Sequence, residues 1–133
     1  MNEEAARAIL LMQAIENALR EQGNQRHVAS LLTQVEVDKD DPAFQNPTKF
    51  VGPFFTEEEA KKISAELNWA MREDSGRGWR HVVPSPKPRH IVDISLVDAL
   101  VKRGTIVIAG GGGGIPVVLD AKVLRTGVPA VID

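Results

Sequence analysis

The 133-residue sequence has no cysteine, which excludes disulfide frameworks, thiolate zinc sites and cysteine nucleophiles. It has little net charge, and the formal value of -2 argues against a general nucleic-acid binder. No apolar run approaches the length needed to cross a bilayer. The first residues, Met1-Asn2-Glu3-Glu4, are acidic and polar and do not read as a secretory signal. There is no internal repeat and no low-complexity tract beyond a run of glycines. What remains is ordinary globular composition, 43% hydrophobic and 26% charged, in a length suited to one modest domain. The plainest reading is a soluble cytoplasmic α/β protein.

Along the chain, Ala5, Ile9, Met12, Ile15 and Leu19 recur at helical spacing, and Gly23 supplies a stop, so residues 3 to 22 are expected to be a helix. Leu10 and Leu11 widen its apolar face, which predicts burial on more than one side. Val28 to Val37 reads as a strand, nearly continuous in apolar or small residues at first, then alternating. Asp38 to Pro42 ends it with turn chemistry. The stretch Pro42 to Pro88 holds six of the eight prolines, both tryptophans and all four phenylalanines, which marks it as a small α+β insertion. A helix is expected there over Glu57 to Leu67, with Thr56 and Glu59 at capping-box spacing. Short strands are expected at Trp69 to Arg72 and Trp79 to Val83, with a turn at Gly76-Arg77-Gly78. After the insertion, Ser95 and Asp98 suggest a second capping box, and Gly104 a helix stop. Thr105 to Ala109 reads as a short buried strand, followed by the glycine run and a further apolar stretch, Pro116 to Leu119. Asp120 to Val128 reads as an exposed hairpin or loop, and Ala130-Val131-Ile132 as the start of another strand. The order strand, helix, strand predicts right-handed crossovers on a parallel sheet.

The glycine run, Gly110 to Gly114, carries the first chemical signal. Glycines at the carboxyl end of a buried strand present backbone N–H groups with no side chains in the way, which suits a phosphate or carboxylate. No Gly-Lys-Ser/Thr follows, so the run is not a P-loop, and Ile115-Pro116 replaces the helix start of a dinucleotide fingerprint. The competing reading is a flexible linker. Lys49 lies between two prolines, Pro47 and Pro53, in a loop they stiffen. Such a lysine can neutralise a transferring phosphoryl group, or it can simply be solvated. Arg77, Arg80, Lys87 and Arg89, with His81 and His90, form a basic segment that can face phosphates or pair with the run Glu57 to Glu59. Glu73 and Asp74 read as solvated acids before a turn. The three histidines are too scattered for a metal site.

Several strings in order resemble carbamate kinase, of the amino acid kinase superfamily. They are Leu32-Thr33-Gln34-Val35 with Asp38, then Asp41 through Lys49, Gly52-Pro53-Phe54, and Glu73 through Arg80. Val82 through Pro88 and Gly111 through Val117 complete them. The resemblance is dense from Val28 to Pro116 and looser to Asp133. It implies part of a three-layer αβα sandwich with a mainly parallel sheet. Residues 1–41 and 89–133 would form the partial core, and 42–88 a protruding subdomain. It implies reversible phosphoryl transfer between ATP and carbamate with magnesium, in an arginine deiminase pathway, by a cytoplasmic homodimer. Lys49 matches the family's phosphoryl-reaching lysine, and Gly111, Gly112, Gly113 and Gly114 match the loop that cradles the carbamate or carbamoyl phosphate end.

The departures are as specific. Nothing before Val28 resembles the family's two glycine-containing loops, and the nucleotide-binding half that should follow Asp133, with its further lysine, has no counterpart here. Gly110 stands where the family tends to have serine or cysteine. Little turnover is therefore expected of this chain alone, since phosphoryl transfer needs donor, acceptor and metal positioned together. Open sheet edges and helix faces are also expected. One alternative is a non-catalytic anion-binding or assembly module derived from the family. Another is a related kinase for a different acid.

Overall fold

The structure is a computed structural model that describes residues 3–132, so Met1, Asn2 and Asp133, the outer ends of the expected core segments, lie outside it. The elements in order are α1 (Glu3–Glu21), β1 (Val28–Val37), a 3-10 turn (Pro42–Phe44), β2 (Lys49–Phe55) and α2 (Glu57–Leu67). They continue with β3 (Met71–Glu73), β4 (Trp79–Val83), β5 (Pro88–Ile91), α3 (Ile94–Lys102), β6 (Ile106–Leu119) and β7 (Arg125–Gly127). Two sheets form, one of order β5-β1-β6-β7 and one of order β2-β4-β3. The architecture is mixed α/β, as expected. The central pair of the larger sheet, β1 and β6, is parallel, and its two edge strands are antiparallel.

β1 sits between β5 and β6 because its apolar residues are nearly continuous, and Val28, Val35 and Val37 are buried. Val35, Val37 and Ile132 form the core cluster, with Phe44, Val118 and Val128 packed against it. α1 lies on β1 and β6. None of its described side chains is buried, and Ile9, Leu10 and Leu11 remain exposed, which corrects the expected burial on more than one side. One sheet can cover only one stripe of a helix.

The smaller sheet belongs to the proline-rich insertion. α2 begins on the expected capping box: the Glu59 amide donates to Thr56 Oγ1 at 3.2 Å, and the Thr56 amide donates to Glu59 Oε2 at 2.8 Å. Asn68, in the left-handed region at φ 54°, ends it. Lys49 proves to open a strand where a stiff loop was expected. Pairing of β2 with β4 runs Lys49 to Val83 through Val51 to His81, then lapses across Gly52-Pro53 and resumes at Phe55. That irregularity accommodates the proline, which cannot donate to a ladder.

Two further expectations are corrected, and a third holds. The second capping box does not form. Asp93 precedes α3 without a side-chain cap bond, Ser95 already lies inside the helix, and Asp98 pairs with Lys102 at 2.6 Å instead. Residues 130–132 are not a strand; the Val131 amide donates to Pro84 O at 3.0 Å while Ile132 packs into the core. Asp120 to Val128 does form a hairpin around β7, with an Asx turn in which Asp120 Oδ1 accepts from Lys122 and Leu124 amides, each at 2.8 Å.

Candidate anion site

The glycine run lies within β6 and does not end it. β1 and β6 pair in register from Val28 with Ile106 to Leu32 with Gly110, and pairing resumes at Gln34 with Ile115. Gly111 to Gly114 therefore stand opposite Thr33 alone, a bulge that lifts the chain out of the ladder. The expected turn after Ala109 is replaced by this excursion, because Pro116 to Leu119 can still pair on both sides. A strand anchored before and after its glycines is not a linker.

Glycine is demanded by the geometry at two of these positions. Gly113 and Gly114 have φ of +96° and +98°. A Cβ at Gly113 would lie 2.7 Å from the Ile132 carbonyl oxygen, and one at Gly114 would lie 2.6 Å from Val35 Cγ2 and 3.1 Å from both oxygens of Thr33. The backbone thus rides directly over the core with room for hydrogen only. Such a bulge presents main-chain polar groups at close range, the arrangement that suits an oxyanion.

Lys49 lies on the other sheet, half-buried and paired with Val83. The structure places Lys49 and the glycine bulge on separate sheets, tied by three contacts at the base of the insertion. Asp41 Oδ1 accepts from the Ala43 amide at 2.8 Å, and its Oδ2 accepts from the Lys87 amide at 3.0 Å, so one carboxylate clasps the insertion's entry to its exit. Arg89 pairs with Asp38, and Val131 bonds to Pro84. The amides of Ala43 and then Lys87, with the Arg89 charge, hold the Asp41 carboxyl below its ordinary value.

Most of the basic segment has local partners. Asp74 is buried, contrary to its reading as a solvated acid. It accepts from Arg77 at 2.8 Å and from Arg80 at 3.3 Å. Arg80 lies 4.9 Å from the Phe54 ring centroid, and Arg77 lies 5.6 Å from the same ring. His81 stacks on Trp69 at 4.2 Å, and burial lowers its pKa. The Glu57–Glu59 run is engaged elsewhere: Glu57 pairs with Lys61, and Glu59 completes the α2 cap. Arg80 therefore packs beside the insertion's minor core, in which Val82 and Ala60 are buried, while Arg77 pairs with Asp74 from the surface.

The Arg77 hydrogen bond, opposed by burial and aided by Arg80, lowers the Asp74 pKa. Because the folded carboxyl binds its proton less readily than the unfolded one, its stabilisation is full above the unfolded value, about 3.9. It is lost as pH falls through the lower folded value. Asp41 acts in the same sense. Acid unfolding is expected below about pH 4. In Asp74→Ala, the urea midpoint at pH 7 should fall and its dependence on pH below 4 should flatten. An unchanged acid profile, followed by Trp69 and Trp79 fluorescence, would remove Asp74 as its source.

No group of three or more histidine, aspartate or glutamate side chains suited to a metal occurs among the described residues. A cleft of about 410 Å³ lined by Arg26, His27, Arg103 and Gly104, among others, opens beside the first residues of β1 and β6, toward the other end of the parallel pair. The sequence signalled the glycines and Lys49. It missed the Asp41 clasp, for which Asp41-Pro42 gave a local turn signal but nothing pointed to Lys87, 46 residues away. It also missed the buried role of Asp74, whose spacing to Arg77 and Arg80 was the available clue.

No family model matches the chain. Carbamate kinase of Pyrococcus furiosus is 54% identical over 124 residues, 93% of this chain and 39% of that protein. Carbamate kinase 3 of Staphylococcus aureus is 49% identical over 92% of this chain and 40% of its own length. Among solved structures, carbamate kinase from Giardia lamblia bound to AMP-PNP matches with a TM-score of 0.86 and 41% identity, over 98% of this chain and 41% of that one. A protein of Aeropyrum pernix K1 matches with a TM-score of 0.91 and 39% identity, over 98% of this chain and 42% of that one. The chain thus spans about two fifths of the length of the curated relatives it matches.

Proposed function

Because this chain is homologous to an internal portion of the carbamate kinases, we propose that it carries the acid and phosphoryl end of such an enzyme's site. The reaction is carbamoyl phosphate plus ADP to carbamate plus ATP. The bond between the carbamoyl oxygen and phosphorus breaks, and a bond from phosphorus to the terminal ADP oxygen forms. Gly111 to Gly114 hold the oxyanion through backbone N–H groups, and the Lys49 ammonium offsets charge on the phosphoryl group as it transfers. The observation that carries this reading is the glycine bulge itself, kept over the core by two positions where only glycine fits.

The second sheet, with α2, acts as the protruding subdomain, residues 42–88, and the Asp41 clasp sets where Lys49 stands relative to the glycines. Residues 1–41 and 89–133 supply part of the core. Magnesium suits this reading as an ion carried largely on the nucleotide phosphates, since the described residues gather no carboxylate cage. When bound, it neutralises phosphate charge. The same reading puts the protein in the cytoplasm, in arginine deiminase metabolism. No described helix is long and apolar enough to cross a membrane.

A coupled assay of ADP with carbamoyl phosphate tests the proposal. The chain alone is expected to give little or no turnover. Exchanged for the matching segment of the Pyrococcus furiosus enzyme, it is expected to support turnover. A folded but inactive exchange protein overturns the reading.

The exposed Ile9, Leu10 and Leu11 of α1 favour a second use, as an assembly surface for a homo-oligomer. Sedimentation at several concentrations is expected to show self-association that Leu10→Lys weakens. A stable monomer at all concentrations would count against it.

A further inference from the structure

We propose that the cleft beside the first residues of β1 and β6 is a second anion site, one that takes a diphosphate group. It is separate from the glycine bulge, because Ile106 to Gly110 spans about 13 Å of strand, and it does not rest on the reading of that bulge. The cleft, of about 410 Å³, is lined by the loop 24–27 and by Arg103, Gly104 and Thr105, with no acidic residue among them. A second cleft, of about 310 Å³, shares residues 24–27 and adds Arg20 and one acid, Glu16. Both volumes fall within the range of small-molecule sites, about 300–1,000 Å³. A Cβ added at Gly104 would meet nothing within 4 Å, so the wall there is open to a ligand.

Arg26 is held in place before any ligand arrives. Its Nε donates to the Gly104 carbonyl at 2.7 Å, and its backbone amide donates to Asn24 Oδ1 at 2.9 Å. One edge of the guanidinium is thereby fixed, and its terminal nitrogens remain as a fork that matches two oxygens of a phosphate. Arg20, Arg26 and Arg103 form no ion pair among the described residues. Arginines near helix ends can serve the last helix carbonyls instead, and α1 and α3 both end here. Backbone amides already fill that role. Gly23 donates to Arg20 O at 3.0 Å and Asn24 to Leu19 O at 2.8 Å; Gly104 donates to Val101 O at 2.9 Å and Thr105 to Leu100 O at 3.1 Å. The gathered guanidinium groups therefore raise the local positive potential without an internal partner. Two arginines and a histidine with no acid in the larger cleft call for more than one negative charge. Its lining has no large apolar side chain to hold an acyl chain or an uncharged ligand. A diphosphate group meets both conditions.

The test is a titration of the isotope-labelled chain at low ionic strength with pyrophosphate, ADP and acetate in turn. The amide resonances of Arg26, His27 and Thr105 are followed beside those of Gly113 and Gly114. Saturable shifts are expected at the first three with pyrophosphate or ADP, and the tighter of the two tells whether the diphosphate is free or carried on a nucleotide. Acetate should bind there at least about 10-fold more weakly. Arg26→Gln should weaken the binding on the order of 10-fold, and Arg26→Lys should recover little, since an ammonium has no fork. Arg103→Gln leaves the Arg26–Gly104 bond in place and should weaken it too, which keeps the test decisive if Arg26→Gln fails to fold. Undiminished binding in folded Arg103→Gln overturns the proposal. So do shifts confined to Gly113 and Gly114, the absence of any saturable shift at Arg26, His27 and Thr105, or acetate binding as tightly as pyrophosphate. The two sets of amides are read in one spectrum, so failure at the glycine bulge and failure at this cleft are told apart.

Discussion

A Gly114→Ala variant is expected to lose about 2–6 kcal/mol of stability, from one methyl group. Two costs add. The backbone at φ +98° is a region that side-chain-bearing residues rarely occupy, worth about 1–3 kcal/mol. The new Cβ would stand 2.6 Å from Val35 Cγ2, and Val35 is only 2% exposed, so overpacking adds about 1–3 kcal/mol. The chain holds its own controls. Gly104 has φ +86° with nothing within 4 Å of an added Cβ, so Gly104→Ala isolates the backbone cost. Gly127 has neither a positive φ nor a neighbour within 4 Å, so Gly127→Ala should be close to neutral. Urea unfolding should rank the three Gly114, Gly104, Gly127 in order of loss. If Gly114→Ala were no worse than Gly104→Ala, the bulge would be able to lift off the core, and the close approach would not be what requires glycine.

Legibility in the sequence followed the range of the forces involved. The bounds of β1 and α2 were readable to the residue because a local signal fixes each: turn chemistry after Val37, and the reciprocal Thr56–Glu59 cap. The course of β6 was not, because glycines read locally as breakers while the pairing of Ile115 to Val117 with Gln34 to Glu36 joins segments far apart in sequence. Ala130 to Ile132 failed in the opposite direction. Its apolar pattern is that of a strand, yet among the described residues burial against Val35 and a bond to Pro84 take the place of a ladder. At the candidate site, the residue types were visible and their arrangement was not. The glycines and Lys49 declare themselves by composition and context. Asp41 does not, since an ordinary turn aspartate gains its role from a partner dozens of residues away.

The Lys49→Ala change, made in the exchange protein with the Pyrococcus furiosus enzyme, is expected to lower kcat by about 100- to 1,000-fold with a smaller change in KM. Only interactions stronger in the transition state than in the ground state accelerate the step. A point charge placed against the transferring phosphoryl group is of that kind, because charge redistributes onto the bridging oxygens as the bond to carbamate breaks. The fold supplies the rigidity such a group needs. Lys49 opens β2, its backbone paired with Val83, and the insertion it belongs to is clasped at the base by Asp41. Lys49→Arg should recover little, since the guanidinium is a planar fork and not a compact charge. Asp41→Ala should act at a distance: it frees the entry of the insertion from its exit, so kcat should fall by less than in Lys49→Ala while the protein remains folded. A Lys49→Ala enzyme with unchanged kcat would return this lysine to the solvated reading that its loop first allowed. The proposed site would then rest on the glycine bulge.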